Sequence, residues 1–217
     1  MNTLTKLAQG LIGHLRPAPL QGEAASVRAL PPRSPGGGLP LMQVLAQRQS
    51  SRVFSVRPLP DAVLSELLWA AAGISRPELG GRTFPSAMNA QEVDVYVALP
   101  DGLYLYDPRA HQLRLSMASD VRRVTGYQDF VDHAALDLVF VADHGRMPKV
   151  PAAQRSGFAH IAVGAVMQNV YLYCASTGLA TVARAWFDRR ALAEAMGLGE
   201  DHEIVLTQTV GYPPEPN

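Results

Sequence analysis

The sequence predicts an α+β domain, in which helices and strands form separate packed layers. In 93–97 valine occupies every second position, and this period of two is typical of a half-buried strand. The turn sequence at 100–102, Pro-Asp-Gly, then leads to a second apolar strand at 103–106, which predicts a hairpin. The longest apolar segment is 158–176, and it reads as a helix. The order of helices, hairpin, helices, strand, long helix and strand indicates the layered fold.

Length and charge limit the classes of function. A chain of 217 residues with 47% hydrophobic content can bury one core, so we expect a single domain or a domain with a tail. Lys and Arg number 19, and so do Asp and Glu, so the chain has no net field to attract nucleic acid or an anionic membrane. No basic run with interleaved aromatic residues occurs either. Nucleic-acid binding is therefore disfavoured.

The N-terminal part is predicted to lie outside the domain. Residues 3–15 have leucines at three-and-four spacing and read as a short amphipathic helix, which disfavours a cleaved export signal. Residues 16–38 are rich in Pro and Gly and predict a linker or a surface arm. We therefore divide the chain into 1–38, a helix with a Pro/Gly-rich arm, and 39–217, the domain.

A single cysteine, Cys174, lies within an apolar helical pattern. A buried structural thiol is the favoured interpretation there, and one cysteine excludes a disulfide within the chain. This composition suits a reducing compartment. We expect a cytoplasmic protein, with a periplasmic or exported location left open.

Helices are predicted before the hairpin and again after it. Residues 39–48 read as a short helix, and Pro60-Asp61 starts a second helix that Gly73 closes. After the hairpin, Ser119-Asp120 predicts a cap for a helix through 124, and a further helix is expected to begin at 126–131.

The second half contains the expected core. The run 136–142 is apolar enough for a central strand. Hydrophobic residues surround nearly the whole helix at 158–176, which is typical of a helix buried in a large core or in a subunit interface, and polar residues within it disfavour a membrane span. Residues 179–187 read as extended, 188–196 as a capped helix and 203–211 as the final strand.

Two polar patterns are candidates for ligand binding. Arg48, Ser50 and Arg52 are each two residues apart, so an extended backbone would direct two guanidinium groups and a hydroxyl to one side, as an anion site requires. Two solvated surface arginines are the alternative. Asn89 and Gln91 would likewise direct two amides to one side, which suits a lactam edge, whereas backbone capping by Asn89 is the alternative.

The common catalytic motifs are absent from the sequence. It contains no Gly-x-Gly-x-x-Gly after a strand, no phosphate-binding loop and no Gly-x-Ser-x-Gly elbow. Its six histidines lack paired ligand spacing, so a metal site is not expected. We therefore expect no catalytic side chain and infer that a bound cofactor would carry out the chemistry.

Seven segments, in order over about 39–213, together resemble the FMN-dependent nitroreductase family, including its short members related to the thiazoline and oxazoline dehydrogenases. These segments are Arg48-Gln-Ser-Ser-Arg-Val-Phe54, Leu68-Trp-Ala-Ala-Ala-Gly73, Pro85-Ser-Ala-Met-Asn-Ala-Gln91, the hairpin 96–107, Gln168-Asn-Val-Tyr-Leu-Tyr-Cys-Ala175, Gly178-Leu-Ala-Thr181 and Thr209-Val-Gly-Tyr-Pro213. The resemblance implies a sandwich with a mainly antiparallel sheet flanked by helices. It also implies a homodimer joined through the long central helices, with FMN in clefts between the subunits.

The resemblance further implies roles for individual residues. Those expected to hold the FMN phosphate, ribityl chain and pyrimidine edge are Arg48, Gln49, Ser50 and Arg52. Those expected to line the flavin are Pro85, Ser86, Met88, Asn89 and Gln91. Those expected to supply backbone N–H groups near its reactive nitrogen are Thr181, Val182, Ala183 and Arg184.

Two departures from the family pattern leave the substrate open. Family members often have a cation after the Gly-Tyr-Pro turn, whereas this chain ends Pro214-Glu-Pro-Asn217. The segment 184–187, Arg-Ala-Trp-Phe, replaces one that contains glycine in many members and would narrow the pocket. Residues that either form the pocket wall or only pack are Tyr127, Gln128, Phe130, Arg184 and Trp186.

The resemblance implies an oxidoreductase in which NADH or NADPH reduces FMN and a small-molecule acceptor, such as a nitroaromatic or a quinone, then takes its place in a ping-pong mechanism. One alternative is a flavin-dependent dehydrogenase of a heterocycle or peptide-derived substrate, which would act with partner proteins. Another is a flavin-binding protein without catalysis.

Overall fold

The computed structural model describes residues 26–34 and 36–215. The amphipathic helix predicted at 3–15 lies outside these residues. The described strands are β1 (Val27–Ala29), β2 (Ile74–Arg76), β3 (Gly81–Arg82), β4 (Val93–Leu99), β5 (Gly102–Asp107), β6 (Gln112–Met117), β7 (Leu136–Asp143), β8 (Ala180–Arg184) and β9 (His202–Gly211). The described α-helices are α1 (Leu41–Gln47), α2 (Asp61–Ala72), α3 (Ala152–Thr177) and α4 (Arg189–Met196).

Seven of the strands form one antiparallel sheet in the order β1-β6-β5-β4-β7-β9-β8, and β2 and β3 form a separate small hairpin. The predicted hairpin is β4-β5. The predicted central strand is β7, which lies between β4 and β9 and is buried except at Asp143. The fold class, α+β with a mainly antiparallel sheet flanked by helices, is confirmed. The strand β8 lies at one edge of the sheet, which leaves one side of its backbone open.

Alternation along β7 gives the sheet two apolar faces. On one face Leu138 and Phe140 pack with Leu67 of α2 and Val166 of α3 in the larger core. On the other face Val139 packs in a smaller core with residues of α4. The helices therefore cover both faces of the sheet.

Local signals explain the ends of the helices. Gly178 has φ 72°, a left-handed conformation that favours glycine, and it ends α3. Asp188 caps α4 because its side chain accepts the N–H of Ala191. Gly73 follows α2 as predicted, and its N–H donates to the carbonyl of Trp69.

Of the two helices predicted between β6 and β7, the first corresponds to a short 3-10 helix and the second, expected to begin at 126–131, is wrong. A single 3-10 turn, Arg122–Thr125, is followed by turns and bends up to β7. The backbone N–H of Arg122 donates to Asp120, and the hydroxyl of Thr125 donates to the carbonyl of Arg122. These local bonds offer the backbone an alternative to an α-helix. The hydroxyl of Thr125 also donates to Asp137 of β7, and this bond holds the segment against the sheet.

The strands β1, β2, β3 and β6 were not predicted from the sequence. The strand β1 lies within the Pro/Gly-rich arm and pairs with β6, so this part of the arm forms the edge of the sheet. Arg28 forms an ion pair with Asp61 at the start of α2, which also ties the arm to the domain. The division of the chain at residue 38 stays a prediction.

The helix α3 is the one described helix long and apolar enough to cross a membrane by length and composition. It packs against the sheet and against α2, and it buries a stripe that includes Ala162, Val166 and Val170. Its outer side remains apolar, because Ile161 is 68% exposed and Phe158 is 39% exposed.

Candidate functional site

The segment 48–52 is anchored to the edge of the sheet and to α3. The N–H of Ser51 donates to the carbonyl of Thr181, with 2.9 Å between nitrogen and oxygen. The hydroxyl oxygens of Ser50 and Tyr171 lie 2.8 Å apart, and the Tyr171 hydroxyl also accepts the N–H of Ala183 at 2.9 Å. Tyr171 thus links α3, β8 and the arginine-containing segment.

Two cations in this segment are available to a ligand. The guanidinium of Arg48 lies 5.3 Å from the centroid of the Tyr171 ring, and Arg52 is exposed. Neither arginine forms an ion pair with any described residue. A cleft of about 530 Å³ is lined by Gln49 and Ser51 of this segment together with residues that include Tyr171 and Thr181. The segment can therefore bind an anion without breaking an existing ion pair.

The loop 85–91 is not extended, so the geometry on which the predicted amide pair depended is absent. Residues 87–89 form a 3-10 turn, and Met88, Asn89 and Gln91 have φ of 56°, 54° and 52°. The Ser86 hydroxyl accepts the N–H of Gln91 at 2.7 Å and donates to the buried Glu92 carboxylate at 2.6 Å. The loop is therefore held in shape by its own side chains.

Gln91 supports this loop from inside. Its side-chain nitrogen donates to the carbonyl of Gly80 at 2.8 Å and to the side-chain oxygen of Asn89 at 3.1 Å, and Gln91 is only 2% exposed. Its amide donors are thus engaged within the chain. Pro85 and Met88 are the exposed members of the loop.

In one chain the loop and the arginine segment attach to different sides of α3. The side-chain nitrogen of Asn169 donates to the carbonyl of Thr83 at 3.2 Å, just before the loop. Tyr171, which holds Ser50, is two positions further along the helix. Two positions correspond to about 200° around an α-helix axis. A single chain therefore brings the arginine segment and β8 together and leaves the loop on the other flank.

The backbone groups of strand β8 point to two edges, one paired with β9 and the other open. The carbonyl of Thr181 and the N–H of Ala183 are bonded to Ser51 and Tyr171, so the Ala183 N–H is already engaged. Because alternate backbone groups of a strand point the same way, the next N–H on that open edge belongs to Ala185. By the same alternation the N–H of Thr181 and the carbonyl of Ala183 lie on this open edge, so a backbone contact to a cofactor within 181–184 stays a prediction.

The side chain of Arg184 is buried on the face of the sheet opposite to the one that α3 and its Tyr171 cover. Its Nη2 lies 2.5 Å from Oδ1 of Asp137, and the two side chains are 3% and 0% exposed. Burial raises the pKa of Asp137 to about 6 despite the opposing charge of Arg184. Arg184 is therefore a packing and ion-pair residue and not an exposed pocket cation.

Four residues considered for the pocket wall meet near the end of β8. The rings of Tyr127 and Trp186 are 5.6 Å apart in an edge arrangement, and they are 53% and 72% exposed. Phe130 packs at 5.3 Å on Phe54, which follows the arginine segment. The side-chain oxygen of Gln128 is buried and has no hydrogen-bond partner among the described residues. The structure thus combines an exposed aromatic pair with an unsatisfied amide oxygen.

Several residues that organise this region were not predicted from the sequence. Tyr171 was part of a motif but had no assigned role, although a hydroxyl on an apolar helix is a signal for a specific partner. Asp137 was read only as part of an apolar strand, although a single acid in such a run indicates a buried partner. Cys174 is buried and free, which confirms the prediction of a structural thiol, and burial raises its pKa.

Comparison with known proteins identifies relatives of this fold and sequence. The family described as the nitroreductase family matches residues 45–212. A nitroreductase homologue of Methanocaldococcus jannaschii is 31% identical over 170 residues, which cover 74% of this chain and 85% of that protein.

Solved structures with the same fold are also similar to this chain. The crystal structure of a nitroreductase homologue from Ralstonia eutropha JMP134 is 52% identical, with a TM-score of 0.84, and the match covers 93% of this chain and 96% of that chain. An NAD(P)H:FMN oxidoreductase homologue from Staphylococcus epidermidis is 14% identical, with a TM-score of 0.62 and coverage of 85% and 92%, so it shows similarity of fold alone.

Proposed function

This chain belongs to the nitroreductase family, which supports a flavin oxidoreductase, and we propose specifically that it uses FMN. In this proposal NADH or NADPH reduces the bound FMN, leaves, and is replaced by a small acceptor such as a nitroaromatic or a quinone. The observation that carries the proposal is the arginine segment, which is fixed by Ser50 and Ser51 while its two guanidinium groups stay without ion-pair partners among the described residues.

The residues present fit the phosphate end of FMN. Arg48 and Arg52 supply the positive charge that a phosphate requires. A cleft lined by Gln49, Ser51 and Thr181 supports a flavin between the arginine segment and β8.

Each group of this chain has a distinct task in the proposed reaction. The arginine segment binds the phosphate and fixes the position of the cofactor. Tyr171 holds β8 in place through the N–H of Ala183. Tyr127 and Trp186 provide an exposed aromatic surface on which a planar substrate can stack. The flavin supplies hydride transfer, so no side-chain nucleophile is needed.

We also propose that the protein forms a homodimer through α3 and α1. The exposed apolar residues Phe158 and Ile161 on α3, and Leu41 and Met42 on α1, would be covered by a second copy. A two-fold arrangement would bring the loop 85–91 of one copy to the arginine segment of the other. That arrangement explains why one chain holds these two segments on different flanks of α3.

The visible spectrum of the purified protein tests the proposal. We expect a yellow protein that releases FMN on denaturation and that NADH or NADPH bleaches without oxygen, with colour returning when a quinone is added. A colourless protein that FMN cannot reconstitute would contradict every flavin function. Colour that persists with both nicotinamides would favour the dehydrogenase or the non-catalytic alternative.

A further inference from the structure

A second cavity lies between the arm, α2, the small hairpin β2-β3 and the turn that joins β5 to β6. Its volume is about 560 Å³, within the range of about 300–1,000 Å³ that ligand sites occupy. The residues that line it include Arg33, Trp69, Glu78, Gly80, Arg109 and His111, and it shares no lining residue with the cleft beside the arginine segment. This cavity is therefore a site of its own.

Hydrogen bonds fix the wall that His111 forms. Burial lowers the pKa of His111, so its ring is neutral at neutral pH and carries one proton. The hydroxyl of Ser65 donates its single proton to the carbonyl of Pro31 at 2.6 Å, and its oxygen lies 2.7 Å from Nε2 of His111. The ring proton is therefore on Nε2, and Nδ1 accepts the hydroxyl of Tyr106 at 3.0 Å. Since both nitrogens are engaged, His111 shapes the cavity and offers neither of them to a ligand.

Trp69 gives the cavity a flat apolar wall. Its indole N–H donates to the carbonyl of Ile74 at 3.1 Å, which fixes the ring. The guanidinium of Arg33 lies 4.2 Å from the centroid of the same ring, an arrangement in which a cation is attracted to the face of an aromatic group. Ile74, Pro77 and Pro108 add apolar surface to the lining. The cavity therefore combines apolar walls with a cation whose position the indole ring defines.

Positive charge dominates the polar part of the cavity. Arg33 and Arg109 line it, together with one acid among the described lining residues, Glu78. Arg33 forms no ion pair with any described residue, and neither does Arg82 of β3, which is only 9% exposed. Burial lowers the pKa of Arg82 to about 10, and the charge of Asp94 opposes this shift whereas that of Arg109 adds to it. An anion in the cavity would therefore meet a positive field.

We propose that this cavity binds a small organic anion, whose flat ring system lies against the apolar wall and whose carboxylate or phosphate group meets the guanidinium groups of Arg33 and Arg109. A guanidinium group can pair with either anion through two parallel hydrogen bonds, and the apolar lining selects for a ring. The inference does not depend on the proposed flavin function, because the cavity is built from residues of its own.

Isothermal titration calorimetry on the full-length protein tests the proposal with two pairs of probes. Naphthoate and naphthamide share a ring system and differ in charge, and adenosine monophosphate and adenosine differ in the phosphate. We expect one acid or both to bind about tenfold more tightly than the neutral counterpart, because hydrogen bonds between charged groups are the stronger ones. The acid with the lower Kd shows which anionic group the site prefers. Equal Kd within both pairs, or no binding of either acid, would overturn the proposal.

Substitution of the two arginines tests where the acid binds. Arg33→Ala and Arg109→Ala, both at exposed positions, should each raise the Kd of the acid by about tenfold. Arg57→Ala is the matched control, because the Arg57 guanidinium also lies 4.2 Å from the centroid of an aromatic ring, that of Tyr212, but outside the cavity. This control should leave Kd unchanged. The same Kd in wild type and in both cavity variants, or an equal loss of affinity in all three variants, would contradict the assigned site.

The indole N–H resonances give a second readout of location. The chain contains two tryptophans, Trp69 in the cavity wall and Trp186 near the end of β8, so the spectrum of Trp186→Phe assigns both signals. We expect the acid to shift the resonance of Trp69 and to leave that of Trp186 in place. A shift of Trp186 alone would place the acid at the proposed flavin site and overturn this inference. A protein that holds no FMN would contradict the proposed function and leave this titration unaffected.

Discussion

The arginine segment 48–52 and the loop 85–91 look alike in the sequence and differ in the structure. Both are short, polar and expected to be extended. In the first, Arg48 and Arg52 have no ion-pair partner among the described residues, while serines anchor the backbone. In the second, the polar groups of Ser86 and Gln91 are bonded within the chain. The first therefore offers charge to a ligand, whereas the second holds a shape.

Removing the charge should have the largest effect. Replacing both Arg48 and Arg52 by alanine should weaken FMN binding by about a hundredfold or more, because hydrogen bonds between charged groups each contribute about 1.5–3 kcal/mol. The measurement is the amount of FMN that stays with the protein during gel filtration, followed by titration. Retention equal to wild type would show that the phosphate binds elsewhere.

Substitution of the internal support should affect stability more than binding. Gln91→Ala removes the donors to the carbonyl of Gly80 and to Asn89, so the free energy of unfolding should fall by about 1–3 kcal/mol in urea titrations. Gln49→Ala, at an exposed position of the arginine segment, is the matched control and should change that free energy little. A stability loss from Gln49→Ala as large as that from Gln91→Ala would break the distinction between the regions.

The buried pair should give a smaller effect that depends on pH. Burial raises the pKa of Asp137 to about 6, above the value of about 4 expected in the unfolded chain. Between these two values of pH the folded protein keeps a proton on Asp137 that the unfolded chain has already released. The contribution of this group to stability is thus full below about pH 4 and is lost as the pH rises through about 6, with a change on the order of 1–3 kcal/mol.

Asp137→Asn isolates this contribution. The lowered pKa of Asp120 gives the opposite dependence of stability on pH, but it does so in wild type and variant alike, so it cancels in their difference. The measurement is the free energy of unfolding in urea at several values of pH, and the difference between wild type and variant should narrow or reverse across that interval. A difference that is independent of pH would show that Asp137 does not titrate there.

Local sequence patterns predicted the elements that depend on neighbouring residues. The hairpin β4-β5, the strand β7 and the helix α3 follow from alternation, turn residues and helical length, and all three are observed. The turn Arg122–Thr125 was not predictable in this way, because the bond from Thr125 to Asp137 across the fold outweighs the local cap signal at Asp120.

The site was only partly predictable for the same reason. The spacing of Arg48, Ser50 and Arg52 indicated an anion site, but the contact between Ser50 and Tyr171 joins residues 121 positions apart. The direction of Arg184 follows from strand alternation and could have been predicted once β8 was assigned. The left-handed conformations in the loop 85–91 occur at residues other than glycine, and the residue type favours them only at Asn89.

The central proposal is that the arginine segment of one copy and the loop of the other form one flavin site. A heterodimer tests it directly, with Arg48→Ala and Arg52→Ala in one differently tagged chain and Pro85→Ala, Met88→Ala and Asn89→Ala in the other. If each parent homodimer has lost FMN, the heterodimer should contain one intact site, and the account predicts about one FMN per two chains. A heterodimer without FMN, when both parents are folded dimers, would show that both segments act within one chain and would contradict the account.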